Sequence, residues 1–312
     1  MKSHIQNSSW LTIPERENSF AIFRTAFSSE KECLASLEIS ADTAFSAYLN
    51  GKILPLEQAA DPFPQKSVNQ MQVELRHGRN VLAVLLFYSG SDSLGYCAGK
   101  PGLAVAISEN DKIIEQSGKH WKYTGNTAYT TGLKDKITWQ LGFCFEYDAR
   151  KEVPWQQPEF DDSAWDQAVE EPAFHLDFFQ RPVPTMISKP LQCVKLAQAG
   201  FLIRSSEKAT FAQCCAMDFL LSRPFPEIFK EAVPVDCNHS ALNFHYMNVD
   251  SSPLHFRPCP PALHANGCYV LIDLGCECVG WLDFQLEAPA GTIVDIAHGE
   301  HLDDGRVRCH ID

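Results

Sequence analysis

Alternation of apolar and polar positions dominates the first half of the chain and predicts strands. In ECLASLEIS, Cys33, Ala35, Leu37 and Ile39 share one face while Ser36, Glu38 and Ser40 take the other, the period-2 pattern of a half-buried antiparallel strand. AFSAYLNGKIL follows, with Asn50-Gly51 between two apolar runs. Both residues tolerate positive φ, so the pair predicts a tight hairpin. MQVELRHGRNVLAVLLFY predicts two more strands on either side of a break between His77 and Asn80, with Val81, Ala83, Leu85 and Phe87 alternating in the second. GLAVAIS, through Leu103, Val105 and Ile107, predicts another. Helical periodicity is scarce, and an antiparallel β-sandwich is the economical architecture.

Pro172, Pro182, Pro184 and Pro190 crowd a stretch that cannot carry a regular backbone ladder, which marks a linker. Past it, FLIRSS, CYVLIDL, VGWLDFQLEAP and GTIVDIAHGE predict strands again, whereas KATFAQCCAMDFLLS fits helix or strand equally. The expected organisation is all-β: a jelly-roll-like sandwich over residues 1–180, a Pro-rich linker over 181–190, and a second sandwich over 191–312. GEHLDDGRVRCHID turns at Asp303-Asp304-Gly305 and begins a return strand just before the last residue, so the second sandwich is expected to be incomplete.

Composition narrows the function. The chain has 312 residues, enough for two domains, and its 26 Lys and Arg stand against 39 Asp and Glu for a net charge of −13. A protein this acidic is not expected to bind nucleic acid, which needs clustered cations. No apolar run reaches the roughly 18 residues of a membrane span, and MKSHIQNSSWLTIPERE lacks the apolar core of a secretory signal. Twelve irregularly spaced cysteines then read as reduced thiols of a cytoplasmic protein.

Four segments, in order, resemble the N-terminal part of bacterial α-L-rhamnosidases, family 78 of the glycoside hydrolases. They are FAIFRTAF with LEISADTAFSAYLNGKIL; PEFDDSAWDQA, similar to the Phe-Asp-Asp-x-x-Trp signature of glycosidase jelly rolls; FQRPVPTM, similar to the linker between the family's β-domains; and VLIDLGCECVGWLDFQLEAPAGTIVDIAHGEHLDDGRV. The resemblance runs from about Trp10 to about Val307. It implies inverting hydrolysis of terminal α-L-rhamnosides by the full-length enzyme, through an acid and a base about 6.5–9.5 Å apart on an α/α barrel. No series of amphipathic helices corresponding to that barrel occurs here. The expectation is therefore a non-catalytic N-terminal portion that meets rhamnose-containing glycosides only through the absent domain. The alternative is a free-standing carbohydrate-binding module.

Asp161 and Asp162 suit a turn, with Trp165 packing onto the sandwich. Glu300 reads as a strand-end carboxylate satisfied by backbone. Cys237, His239, His255, Cys259, His264 and Cys268 lack the short paired spacing of a zinc site, so no metal is expected, and Cys276 and Cys278 read as buried thiols. Tyr88, Tyr96 and Trp121, near expected loops of the first sandwich, are the candidates for stacking on a sugar. No phosphate loop, nucleotide fingerprint, G-x-S-x-G or H-E-x-x-H occurs, and no cofactor is expected.

Overall fold

The computed structural model describes residues 3–58, 61–134, 136–138, 142–171, 176–184, 195–203, 231–235, 267–278, 280, 286–294, 296, 298–300, 302–303 and 306–307. Among them, two single-turn 3-10 segments, Ile5–Asn7 and Ala149–Lys151, are the helical elements, and regular structure is otherwise strand. The chain divides into two compact units, Met1–Asp135 with Trp139–Thr185, and Lys136–Thr138 with Met186–Asp312.

The first unit carries β1 (Leu11–Thr12), β2 (Ser19–Ser29), β3 (Cys33–Asp42), β4 (Ala44–Leu49), β5 (Lys52–Ile53), β6 (Gln65–Leu75), β7 (Gly78–Tyr88), β8 (Gly102–Glu109), β9 (Lys112–Gln116) and β10 (Lys122–Thr124). β11 (Lys136–Thr138) falls in the second unit, and β12 (Gly142–Phe143) follows in the first. Then come β13 (Asp166–Gln167), β14 (Val169–Glu170) and β15 (Asp177–Gln180). One sheet runs β14-β1-β8-β3-β6-β15 with β9 also on β8, and the other runs β13-β10-β2-β7-β4-β5. Pairings are antiparallel except for β15 on β6, which is parallel.

Alternation decides which face goes where. Leu37, Ile39, Val73, Leu103, Val105 and Ile107 from the first sheet meet Phe23, Phe27, Phe45, Leu82, Val84 and Leu86 from the second in one buried core. Their burial, at about 25 cal/mol per Å² of apolar surface, is what holds the sandwich closed. The predicted hairpin forms as expected: Asn50 and Gly51 take φ of 52° and 82° between the paired residues Leu49 and Lys52.

Two local expectations needed correction. β3 is buried on both faces, because the N-terminal segment returns over its polar side and Glu38 accepts the backbone amides of His4 (2.7 Å) and Ile5 (3.0 Å). Asn80 lies inside β7 rather than in the break, and β6 and β7 do not pair: each joins a different sheet, so the turn between them crosses the sandwich.

In the second unit, β16 (Lys195–Ile203) pairs antiparallel with β17 (Glu231–Val235) and with β18 (Gly267–Asp273), and β19 (Leu302–Asp303) pairs with β20 (Arg306–Val307). β16, β18 and the final hairpin sit where strands are expected. The described residues between 286 and 300 do not form the expected strands: Leu286, Ile293, Val294 and Ile296 are exposed, with no sheet beside them among the described residues. The helix-or-strand segment 208–222, Pro172, Pro190 and residues 281–285 lie outside the described residues.

Candidate functional site

The three expected sugar-stacking aromatics are core residues. Tyr88 points inward with Leu86 and Val84, and its hydroxyl donates to Gly99 O at 2.9 Å. Burial first, then the charges of Asp42, Glu15 and Glu17, push its phenol up to about 12. Tyr96 is buried and donates to Asp42 Oδ1 at 2.5 Å; burial and that hydrogen bond hold its phenol far above the ordinary value. Trp121 is wholly buried, its indole N–H shared between Glu115 Oε1 (2.8 Å) and Gln116 O (3.2 Å). None of the three offers a ring face to solvent. Sandwich cores take aromatics first, and proximity to a loop in sequence does not reveal which face a side chain occupies.

Tyr96 belongs to a closed polar network. Asp42 and Lys66, both buried, pair at 2.7 Å, and Lys66 Nζ also donates to Asp61 O at 3.1 Å. The Asp61 carboxylate accepts from Ser67 N (2.8 Å), Ser67 Oγ (2.6 Å) and Gln58 Nε2 (3.1 Å). Gly99 approaches so closely that a Cβ there would collide with the Asp42 carboxylate. Two carboxylates and one ammonium, all buried, thus tie the β3–β4 corner to β6 and to the loop after Tyr88.

The segments behind the family resemblance are joined physically. Arg24, wholly buried on the outer face of β2, donates to the carbonyls of Trp155 (3.1 Å), Gln157 (2.8 Å) and Pro158 (3.3 Å) and pairs with Asp162. Its guanidinium lies 5.7 Å from the Phe160 ring centroid. Asp161 Oδ1 accepts Ser163 N at 2.9 Å, and Trp165 packs against the Ile22, Ala83 and Trp155 cluster, the turn-and-packing roles expected from sequence. At the exit from the first unit, Arg181 donates to Glu57 O (2.8 Å), Glu57 Oε1 (2.7 Å) and Asn69 Oδ1 (3.0 Å).

An exposed aromatic cluster, missed from sequence, covers the other half of the same outer face. Segments 127–131 and 145–148 form a short antiparallel ribbon in which Tyr129 and Tyr147 are bridge partners. Tyr129 stacks on Phe20 of β2 at 4.5 Å and 13°, with Tyr147 edge-on at 5.0 Å and Phe145 edge-on at 5.8 Å. Phe145 and Tyr147 remain 65% and 45% exposed. The Ala149–Lys151 turn, capped by Asp148, which accepts Arg150 N at 3.2 Å, brings Glu152 back beside them. Burial and then the Glu152 charge raise the phenols of Tyr48 and Tyr129, and burial, the Glu152 charge and a Glu152 hydrogen bond push Tyr147 up to about 12. Glu152 Oε1 also accepts Trp155 Nε1 at 2.9 Å. Three phenols and one carboxylate thus gather over β2, β7 and β4 on this outer face. The spacing of Phe145 and Tyr147, two apart in an FxY run, was the available sequence signal.

Elsewhere, Glu300 is exposed and outside any strand. Cys276 and Cys278 are exposed rather than buried, because the chain has left β18 and turned at Gly275. Cys237, His239, His255, Cys259 and His264 lie outside the described residues, as does the side chain of Cys268. Among the described residues no group of His, Cys, Asp and Glu could hold a metal ion, and no helix is long and apolar enough to cross a membrane.

Two facing sheets with a shared apolar core make the first unit an all-β sandwich. Over 64% of this chain the fold matches the family 78 rhamnosidase of Bacillus sp. GL1, at 22% identity and a TM-score of 0.59, the match spanning 22% of that enzyme's length. The α-L-rhamnosidase of Dictyoglomus thermophilum aligns over the same share of this chain and 24% of its own, at 21% identity and a TM-score of 0.44. Residues 264–310 match the family model of the bacterial α-L-rhamnosidase concanavalin-like domain. The chain thus resembles the N-terminal β-domains of bacterial α-L-rhamnosidases. No curated protein sequence matches it.

Proposed function

We propose that this chain supplies non-catalytic N-terminal β-domains of an α-L-rhamnosidase-like glycoside hydrolase, two jelly-roll-like sandwiches whose boundary lies at about residues 181–190. Hydrolysis of terminal α-L-rhamnosides, with inversion, then belongs to an α/α-barrel domain of the full-length enzyme. The observation that carries the reading is the family-model match over residues 264–310. It is supported by the motif residues Arg24, Asp162 and Arg181, whose hydrogen bonds and ion pairs fall within the first sandwich. The reading places the protein in the cytoplasm, where its thiols stay reduced. Purified 1–312 is expected to leave an aryl α-L-rhamnoside intact. Robust turnover abolished by one carboxylate substitution within these residues would overturn it.

A second reading, a carbohydrate-binding sandwich that acts without any barrel, is favoured by the exposed Phe145, Tyr147 and Glu152 cluster. Sugar titration against the same purified chain separates the two.

A further inference from the structure

Phe145 and Tyr147 stand out among the exposed apolar side chains of the first unit. Leu34, Ile53, Leu94 and Val169 are isolated aliphatics, which need no explanation on a protein surface. Phe145 and Tyr147 instead flank a third ring, Tyr129, fixed from beneath by its stack on Phe20. Phe20 in turn packs on Phe87 at 5.0 Å, so the platform is anchored to two central strands, β2 and β7. Rings held this way lose little conformational freedom when a ligand arrives, which favours binding.

Beside the rings lies a polar set. Tyr48, Tyr129 and Tyr147 all lie within the field of Glu152. The Glu152 carboxylate engages Trp155, Gln156 and Tyr147, and a carboxylate has about four lone-pair sites, so one acceptor site remains. Nearby, Asp148 and Arg150 neutralise one another through contacts of 2.8 and 2.9 Å. Aromatic faces next to a carboxylate and phenols suit a ligand with one apolar C–H face and a rim of hydroxyls. A carboxylated sugar would meet Glu152 on a chain of net charge −13.

We infer that Phe145, Tyr147 and Glu152, with Tyr48 and Tyr129 behind them, form a binding site for a neutral pyranoside on the outer face of the β4–β7 sheet. This inference names the site and ligand class for the second reading above and rests on it. The sugar ring lies against Phe145 and Tyr147, and one of its hydroxyls donates to Glu152.

The test is calorimetric titration and saturation-transfer NMR of the full 312-residue chain with methyl α-L-rhamnopyranoside, methyl β-D-galactopyranoside, methyl β-D-glucopyranoside and methyl β-D-glucuronide. Saturable binding of at least one neutral probe is expected. Tyr147→Ala and Phe145→Ala should each weaken it roughly tenfold, the scale of one lost ring contact. Glu152→Gln should weaken it with the rings intact, and Tyr147→Phe should keep most of the affinity. Leu94→Ala, on an exposed residue of the loop between β7 and β8, should change nothing. Unchanged unfolding temperatures for all variants exclude misfolding. A neutral probe that binds equally well to the Phe145, Tyr147 and Glu152 variants places the sugar elsewhere and overturns the site while leaving the second reading standing. Tighter binding of the glucuronide overturns the ligand class. No saturable binding by any probe overturns both the site and the second reading, and leaves the first reading to the rhamnoside assay.

Discussion

Replacing Arg24 with methionine should loosen the first sandwich more than any other single change to its outer face. The guanidinium is wholly buried, donates to three carbonyls of the 155–158 segment and pairs with Asp162. Arg24→Met removes all of these at once and strands a carboxylate beside Phe160 and Trp165. Breaking a buried ion pair from one side costs roughly 3–5 kcal/mol. For a domain of this size each kcal/mol moves the midpoint by roughly 2–4 °C, so a fall of roughly 6–20 °C is expected. Asp162→Ala should be milder, about 1–3 kcal/mol, because its side chain is 23% exposed and Arg24 keeps its three carbonyl partners. Scanning calorimetry gives the midpoints, and hydrogen exchange across residues 153–165 locates the loosening. A loss below about 1 kcal/mol for Arg24→Met, or an equal or larger loss for Asp162→Ala, would refute the view that Arg24 is the tie.

Three further outcomes are expected. Lys66→Met alone should destabilise the first unit by about 3–5 kcal/mol, whereas Lys66→Met with Asp42→Leu should recover much of the loss in denaturant melts, since two uncharged partners leave no stranded charge. Gly51→Ala should cost about 1 kcal/mol, read by the same melts, because its φ of 82° disfavours a Cβ. Tyr147 should ionise near pH 12 by ultraviolet titration. A phenol raised in the folded state stabilises fully below its unfolded value near 10 and loses that contribution as pH rises toward 12, and Glu152→Gln should lower the midpoint.

The strands of the first unit were legible because their signals are local. Asn50-Gly51 states its own turn, and the alternation through Leu37–Ile39 states which of its side chains face inward, whereas in β7 the alternating Ala83, Leu85 and Phe87 take the outer face and Leu82, Val84 and Leu86 fill the core. What sequence could not convey is what covers the other face. Glu38 is buried because amides some thirty residues earlier return to its carboxylate. Arg24 reads as an exposed strand residue until a segment more than 130 residues later folds onto it. The burial of Tyr88, Tyr96 and Trp121 was hidden for the same reason. Tyr88 shares the inward register of Leu86 and Val84, yet position near a loop favoured it, while Phe145 and Tyr147 were passed over in a stretch without periodicity.

The alternation of strands between the two sheets governs how the first unit can be made. β1, β3, β6, β8 and β9 lie in one sheet and β2, β4, β5 and β7 in the other, so the growing chain crosses the core at nearly every connection. Leu11 pairs with Leu103 on one side, but on its other edge Leu11 waits for Glu170. At about 5–20 residues per second, a ribosome needs roughly 8–30 s to travel from Leu11 to Glu170. Throughout that interval both half-built sheets hold apolar faces and open edges, which are prone to pair with neighbouring chains. Yield in the cell should therefore respond to translation speed and chaperone supply more sharply than the stability of the finished sandwich would indicate.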